Sequence, residues 1–298
     1  MSDQERIAVE NLIRSGPDLA SGTIEEVRAN YDAMAAITPV ASDIHVEAAT
    51  LGGVPCEYVR APGAARDRLV LYFHGGGYTI GSLTSHRGLV ALLARAAGAP
   101  VLAVNYRLAP EHPFPAAHDD ALAVYRAVLE AGTRAEQIAF AGDSAGGGLA
   151  VVTLMRARDA GLPMPACAFL MSPFLDLAGT GESVSENADI DVIVRPGMIE
   201  GMGGAYLQGV ATTHPHASPL YGDPTGLPPL LVHVGTHEAI LDDSLRFVRK
   251  AAMAHVSTEL SVYPRMPHVW QMFSGMLEEG RRSLDEAGAF IARQIGKA

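Results

Sequence analysis

The chain has 298 residues, 48% of them hydrophobic and 18% charged, a composition that supplies a sizeable core and excludes a disordered protein. Its formal net charge of -11 argues against a nucleic-acid partner, because a phosphate backbone is met by a basic surface. No run of about 18 apolar residues marks a membrane span, and the polar, acidic start Met1-Ser2-Asp3-Gln4-Glu5-Arg6 lacks the apolar stretch of a signal peptide, so a cytoplasmic protein is expected.

In chain order, residues 1 to about 38 read as two amphipathic helices. The first carries Ile7, Val9, Leu12 and Ile13, and the second runs from Thr23 to Met34 behind a capping box at Thr23 and Glu26. They either pack on the core or form part of a lid over an apolar pocket; both readings stand. Ile44 to Ala48 and Pro55 to Arg60 read as antiparallel strands around a Gly52-Gly53 turn. The apolar run Arg68 to Phe73 reads as a strand covered on both faces, and it empties into His74-Gly75-Gly76-Gly77. A helix over 85–97, a strand over 101–105, a proline-punctuated loop over 107–115 and a helix over 116–131 follow.

The next segment, Ala139-Phe140-Ala141-Gly142-Asp143-Ser144-Ala145-Gly146-Gly147, has the form strand, Gly-x-Ser-x-Gly, helix. That is the pattern of a nucleophile elbow, in which a serine on a sharp, strained turn presents its oxygen above a sheet. After a buried strand over 165–171, residues 173 to about 225 break the rhythm with Pro, Gly, Ser and Asp, around a short helical piece from Pro196 to Leu207. They read as an insertion that forms a second piece of cap. Alternation then resumes: a strand over 230–234, a helix over 243–255, a strand over 259–263 and a last helix over 277–295. Strands alternating with helices predict an α/β fold, a mostly parallel central sheet flanked by helices. The division expected is 1–40 for the N-terminal cap helices, 41–180 and 216–298 for one catalytic core, and 181–215 for the cap insertion. Cys56 and Cys167 lie in separate strands and read as free buried thiols.

A serine hydroxyl needs an adjacent base, usually histidine, and the base needs a carboxylate that fixes its tautomer. In an elbow fold these follow the serine in the order acid, then histidine, on loops after later strands. Of the 11 histidines, His268 sits just past the strand ending at Tyr263. His233 lies inside a strand and His255 at a helix end; His112 and His118 flank the proline-rich loop. His214 and His216 lack a third ligand, so no metal is expected. The acid belongs in the loop after residue 234, where Glu238, Asp242 and Asp243 compete. Asp242 and Asp243 suit a helix start; Glu238 ranks first and Asp242 second. The glycines of His74-Gly75-Gly76-Gly77 let backbone N–H groups approach an oxyanion, together with the N–H of Ala145. Tyr78, Asp143, Met202, Tyr206 and Ile240, which flank these segments, are the candidate pocket residues.

The sequence resembles the hormone-sensitive-lipase family of carboxylesterases and lipases, of the α/β-hydrolase fold. The resemblance rests on His74-Gly75-Gly76-Gly77, Tyr106 to Pro115, Gly142-Asp143-Ser144-Ala145-Gly146-Gly147, Ser218-Pro219-Leu220 and the stretches around Glu238 and His268, and spans roughly residues 40 to 295. It implies Ser144 as nucleophile, Glu238 as acid and His268 as base, with oxyanion N–H groups from Gly76, Gly77 and Ala145 and a turn shaped by Gly75. The family's acid is more often Asp, so Glu238 is a departure. The resemblance also implies a cap, a preference for short- to medium-chain acyl esters, frequent dimers, and chemistry that needs no cofactor. The rival readings are a non-catalytic small-molecule receptor on the same scaffold and an amide or acetyl hydrolase with the same triad.

Overall fold

A computed structural model describes residues 3–17, 19 and 21–295. Gly52 and Gly53 take positive φ, +57° and +81°, which a residue without Cβ adopts freely. They fold His45–Leu51 (β1) back on Val54–Arg60 (β2) as the antiparallel pair that the sequence suggests. The apolar runs Leu69–Phe73 (β3), Val101–Val104 (β4), Ile138–Asp143 (β5), Cys167–Met171 (β6) and Leu230–Gly235 (β7) are fully buried strands. With Thr258–Tyr263 (β8) at one edge they make an eight-stranded sheet of order β1-β2-β4-β3-β5-β6-β7-β8. Only β2 runs against its neighbours; the other pairings are parallel.

Alternate residues of one strand face opposite layers. Leu71 and Phe73 join the core packed by Ala116–Glu130 (α4), Ala145–Asp159 (α5) and Leu241–Met253 (α8). Val70 and Tyr72 join the core under Leu83–Ala97 (α3) and Glu278–Gln294 (α9). The helices Asp3–Ser15 (α1) and Ile24–Ala33 (α2) precede the sheet, and the 173–225 segment carries the short helices Ser183–Glu186 (α6) and Met198–Leu207 (α7). The capping box of α2 forms as expected: the Thr23 N–H donates to Glu26 at 2.9 Å, and the Glu26 N–H donates back to Thr23 Oγ1 at 3.3 Å. Arg28 fastens α2 to the core by donating to the carbonyls of Thr79 and Ala109, both at 2.9 Å. α7 starts two residues later than the sequence suggests, because Gly197 takes a left-handed φ of +83° in front of it. Cys56 and Cys167 are both buried and are not joined by a disulfide. His233 is a core residue bonded to Ser283 Oγ at 2.7 Å. Among the described residues no helix is long and apolar enough to cross a membrane.

This topology fixes where function belongs. After β3 the chain moves outward to β4, then returns to the other side of β3 for β5. Such a reversal opens a crevice at the carboxyl ends of the strands. In register Phe73 pairs with Gly142, so the glycine run after β3 and the serine after β5 leave the sheet side by side.

Two glycines test how tightly the layers pack. A Cβ on Gly288 of α9 would lie 2.1 Å from the Ala96 carbonyl oxygen, whereas one on Gly201 of α7 meets nothing within 4 Å. Gly288→Ala is expected to destabilise by about 1–3 kcal/mol through overpacking. Gly201→Ala, at a helix position with open space, is expected to gain up to about 1 kcal/mol. Denaturant unfolding midpoints of the two variants check both signs.

Candidate active site

Ser144 sits at φ +51°, ψ −122° between β5 and α5, a region that residues with a side chain avoid. The turn closes because its flanking residues are glycines. A Cβ on Gly142 would lie 2.4 Å from the Gly146 carbonyl oxygen, and one on Gly146 would lie 2.0 Å from that of Phe73. The Ser144 N–H donates to the Met171 carbonyl at 2.9 Å, and its own carbonyl accepts from Phe174 N–H at 2.8 Å. A serine in front of a helix ordinarily caps it with its hydroxyl. Ser144 makes no such cap bond, and it borders a cavity instead.

His268, in the loop after β8, is buried with its Nδ1 2.8 Å from Glu238 Oε2. Glu238 lies in the loop after β7; its Oε1 accepts from Ser172 Oγ at 2.8 Å and from the Gly235 N–H at 2.5 Å. Ser172 Oγ in turn accepts from the Val269 N–H at 3.1 Å. One hydroxyl therefore ties the acid to the residue after the histidine. Met171 holds the elbow and Ser172 holds the acid–histidine pair, so two consecutive residues at the end of β6 join both halves of the site. Burial lowers the His268 pKa, but the Glu238 hydrogen bond and charge, with Asp191 and Asp143 beyond, more than offset this and hold it above its usual value. Asp242 is turned elsewhere: at the start of α8 it accepts from the Ser183 N–H at 3.1 Å. Asp243 accepts from the N–H groups of Leu175 and Asp176 at 2.7 and 2.9 Å.

The glycine run stands beside the serine. Gly76 and Gly77 take positive φ, +111° and +59°, and the carbonyl of Gly76 accepts from Thr79 and Ile80 at 3.0 Å. Among the described residues nothing engages the N–H groups of Gly76, Gly77 or Ala145. The Gly75 N–H donates to Asp143 Oδ1 at 3.0 Å, and a Cβ there would lie 2.3 Å from Asp143 Oδ2. His74 stacks on Tyr106 at 4.2 Å between centroids, while the Tyr106 hydroxyl donates to the His74 carbonyl at 2.7 Å. Burial pushes the His74 pKa down to about 3, so this histidine is neutral and structural.

The α/β-hydrolase-fold family pattern matches residues 70–272. The chain is 40% identical to an acetyl-hydrolase of Streptomyces hygroscopicus over 100% of this chain and 99% of that protein. Among solved structures, an esterase from the bacterial hormone-sensitive lipase family superposes with a TM-score of 0.96 at 43% identity, covering 99% of this chain and 100% of that one. The esterase EstE5, in a crystal soaked with p-nitrophenyl butyrate, gives 0.94 at 41% identity over 98% and 99% of the two chains. The chain belongs to the bacterial hormone-sensitive-lipase family of esterases.

In this esterase the cavity beside Ser144 is apolar, lined by Gly77, Phe174, Val194, Met198, Ile199, Met202 and Ile240. Met202 and Ile240, two of the candidate pocket residues, are among this lining. Tyr78, Tyr206 and Asp143 do not line it. The turn after Gly77 drives Tyr78 inward, where its ring stacks on Tyr206 at 4.1 Å, both fully buried in the core. Asp143 is buried with both oxygens committed, Oδ1 to Gly75 and Tyr72 and Oδ2 near His86 at 3.4 Å. His214 lies against Phe114 at 5.2 Å and bonds the His216 N–H.

Several residues that build the esterase site carry no local sequence signal. Asn187 Nδ2 donates to the carbonyls of Thr236 and Glu238 at 3.1 and 2.8 Å. Asp191 accepts from Ala239 N–H at 2.8 Å while binding the N–H groups of Ile193 and Val194. Ser183 Oγ donates to the Ala239 carbonyl at 2.8 Å. Three polar side chains of the 181–215 segment therefore stitch it to the acid loop. Ser172 alone had a usable signal, its place at the carboxyl end of a buried strand.

The two candidate acids separate in a titration. Glu238→Gln leaves the burial and removes the carboxylate, so the His268 imidazole pKa is expected to fall below about 6.5. Asp242→Asn is expected to leave it unchanged. Heteronuclear NMR of the imidazole ring across pH reads both.

Proposed function

We propose that this esterase hydrolyses short- to medium-chain acyl esters through an acyl-enzyme on Ser144, with His268 as base and Glu238 as its carboxylate. The observation that carries the reading is the buried Glu238–His268 pair at 2.8 Å, joined through Ser172 and Met171 to a serine with no capping duty. Imidazole Nδ1–H donates to Glu238, which leaves Nε2 as the basic nitrogen. As the Ser144 oxygen attacks the ester carbonyl, Nε2 takes its proton; the oxyanion develops against the N–H groups of Gly76, Gly77 and Ala145. The protonated imidazole then gives its proton to the leaving alcohol. Water repeats the attack on the acyl-enzyme, the acid leaves, and Ser144 regains its proton.

The substrate class is supported by the cavity. Its lining is apolar and offers no charge to a charged acyl group, and α7 with Val194 closes over it. In this reading the N-terminal helices and the 181–215 insertion form the cap. The similarity to an acetyl-hydrolase fits a short acyl group.

Ser144→Ala is expected to lower kcat on p-nitrophenyl butyrate by about 10^6-fold, and Glu238→Gln by about 10^4-fold, as for other triads whose carboxylate is made an amide. Asp242→Asn is expected to stay near wild type. Because His268 must be neutral to act and its pKa is held up, the acid limb of kcat/KM is expected at a midpoint above about 6.5, activity rising with pH through it. A series of p-nitrophenyl esters from acetate to laurate is expected to peak at the short end. Near wild-type turnover by Ser144→Ala would refute the assignment.

A further inference from the structure

The mechanism above leaves the buried His86 unused. His86, on α3, is 1% exposed and its Nε2 lies 3.4 Å from Asp143 Oδ2. Asp143 Oδ1 holds the Gly75 N–H at 3.0 Å and also accepts from the Tyr72 hydroxyl. On its other side, His86 Nδ1 lies 2.9 Å from Ser85 Oγ. Ser85 Oγ, which also donates to the Ser82 carbonyl at 3.1 Å, holds the ring so that its Nε2 edge faces Asp143.

The chain of contacts continues outward to the N-terminal helices. Ser85 Oγ accepts from the Ser82 N–H at 2.9 Å, and Ser82 Oγ donates to Asp32 Oδ1 of α2 at 2.5 Å. Tyr31, next to Asp32, packs on the His86 ring at 5.7 Å between centroids, and His74 packs on it from the opposite loop at 5.3 Å. We propose that His86 is a positioning residue for the oxyanion loop: held by α2 through Asp32, Ser82 and Ser85, it fixes Asp143, and Asp143 fixes Gly75 and hence the aim of the Gly76 and Gly77 N–H groups. The physical stake is geometric. Oxyanion donors act from about 2.7–3.1 Å, and a displacement near 1 Å costs about 10^2-fold in rate. No proton passes along this chain in the reaction; it holds a loop in place. The assignment rests on the acyl-transfer reading of Ser144.

The test compares His86→Phe, which keeps a packed ring and loses both nitrogens, with His86→Gln, which keeps an N–H at similar reach. Both are measured for kcat and KM on p-nitrophenyl butyrate, for inhibition by a trifluoromethyl ketone that forms a tetrahedral adduct, and for Tm. His86→Phe is expected to lose about 10- to 100-fold in kcat, with KM little changed and ketone affinity falling by the same factor. His86→Gln is expected to recover most of both. Asp32→Ala, at the outer end of the chain, is expected to show the same pattern at smaller size, and it decides the matter if His86→Phe does not fold. Wild-type kcat in His86→Phe, or in Asp32→Ala when only that variant folds, would overturn the proposal. So would a kcat loss with ketone affinity unchanged, or a His86→Gln enzyme as poor as His86→Phe. An unmutated protein without turnover would instead overturn the acyl-transfer reading itself.

Discussion

The site depends on holding one serine in a backbone conformation that its side chain disfavours. Ser144 at φ +51°, ψ −122° carries strain on the order of 1–3 kcal/mol. It persists because its surroundings permit nothing else. Gly146 sits against the Phe73 carbonyl, and the N–H and C=O of Ser144 are bonded to Met171 and Phe174. The strand before it and the helix after it are buried, Phe140, Leu149 and Leu154 completely so. Each such side chain contributes roughly 1.5–3 kcal/mol on burial, so packing outweighs the strain. A relaxed serine on the same helix would turn its hydroxyl to the helix N–H groups and away from a substrate.

Around that turn the protein is organised by buried carboxylates. Asp143, Asp191, Glu238 and Asp243 are each at most 4% exposed. An unpaired charge there would be costly by several kcal/mol, and each is met by convergent donors. Asp143 joins the elbow to the glycine run, Glu238 joins the ends of β6 and β7 to the His268 loop, Asp191 joins the 181–215 segment to the acid loop, and Asp243 joins α8 to the chain after β6. Three of them, Glu238, Asp191 and Asp143, also raise the His268 pKa. Scaffold and electrostatics are therefore one arrangement, and its parts come from loops at the carboxyl edge of a single sheet.

Much of the fold was legible in the sequence, for physical reasons. The runs at 69–73, 138–142 and 230–232 are apolar because both faces of their strands are covered. The Thr23–Glu26 box and the Gly52-Gly53 turn are local devices whose chemistry stands in adjacent letters. The elbow and the glycine run are legible for the same reason: close backbone approach demands glycine at fixed spacing. The ranking of Glu238 over Asp242 followed from helix-start preference, and Asp242 does bond a neighbouring segment from the first turn of α8. What could not be read was long-range. Asn187, Asp191 and Ser183 act on residues about 50 positions away, and a lone Ser or Asn in a loop carries no mark of its partner. Tyr78 and Tyr206 were misplaced for a related reason. An aromatic residue beside a glycine run faces pocket or core according to the turn's φ values, which composition does not encode.

The most direct test of the account is chemical labelling of the strained serine. The intact protein is treated with a fluorophosphonate, its mass is followed against residual turnover, and the modified peptide is mapped. The account predicts one adduct per chain, on the oxygen of Ser144, with turnover lost in proportion. An adduct on another residue, or full turnover in a fully labelled protein, would contradict it.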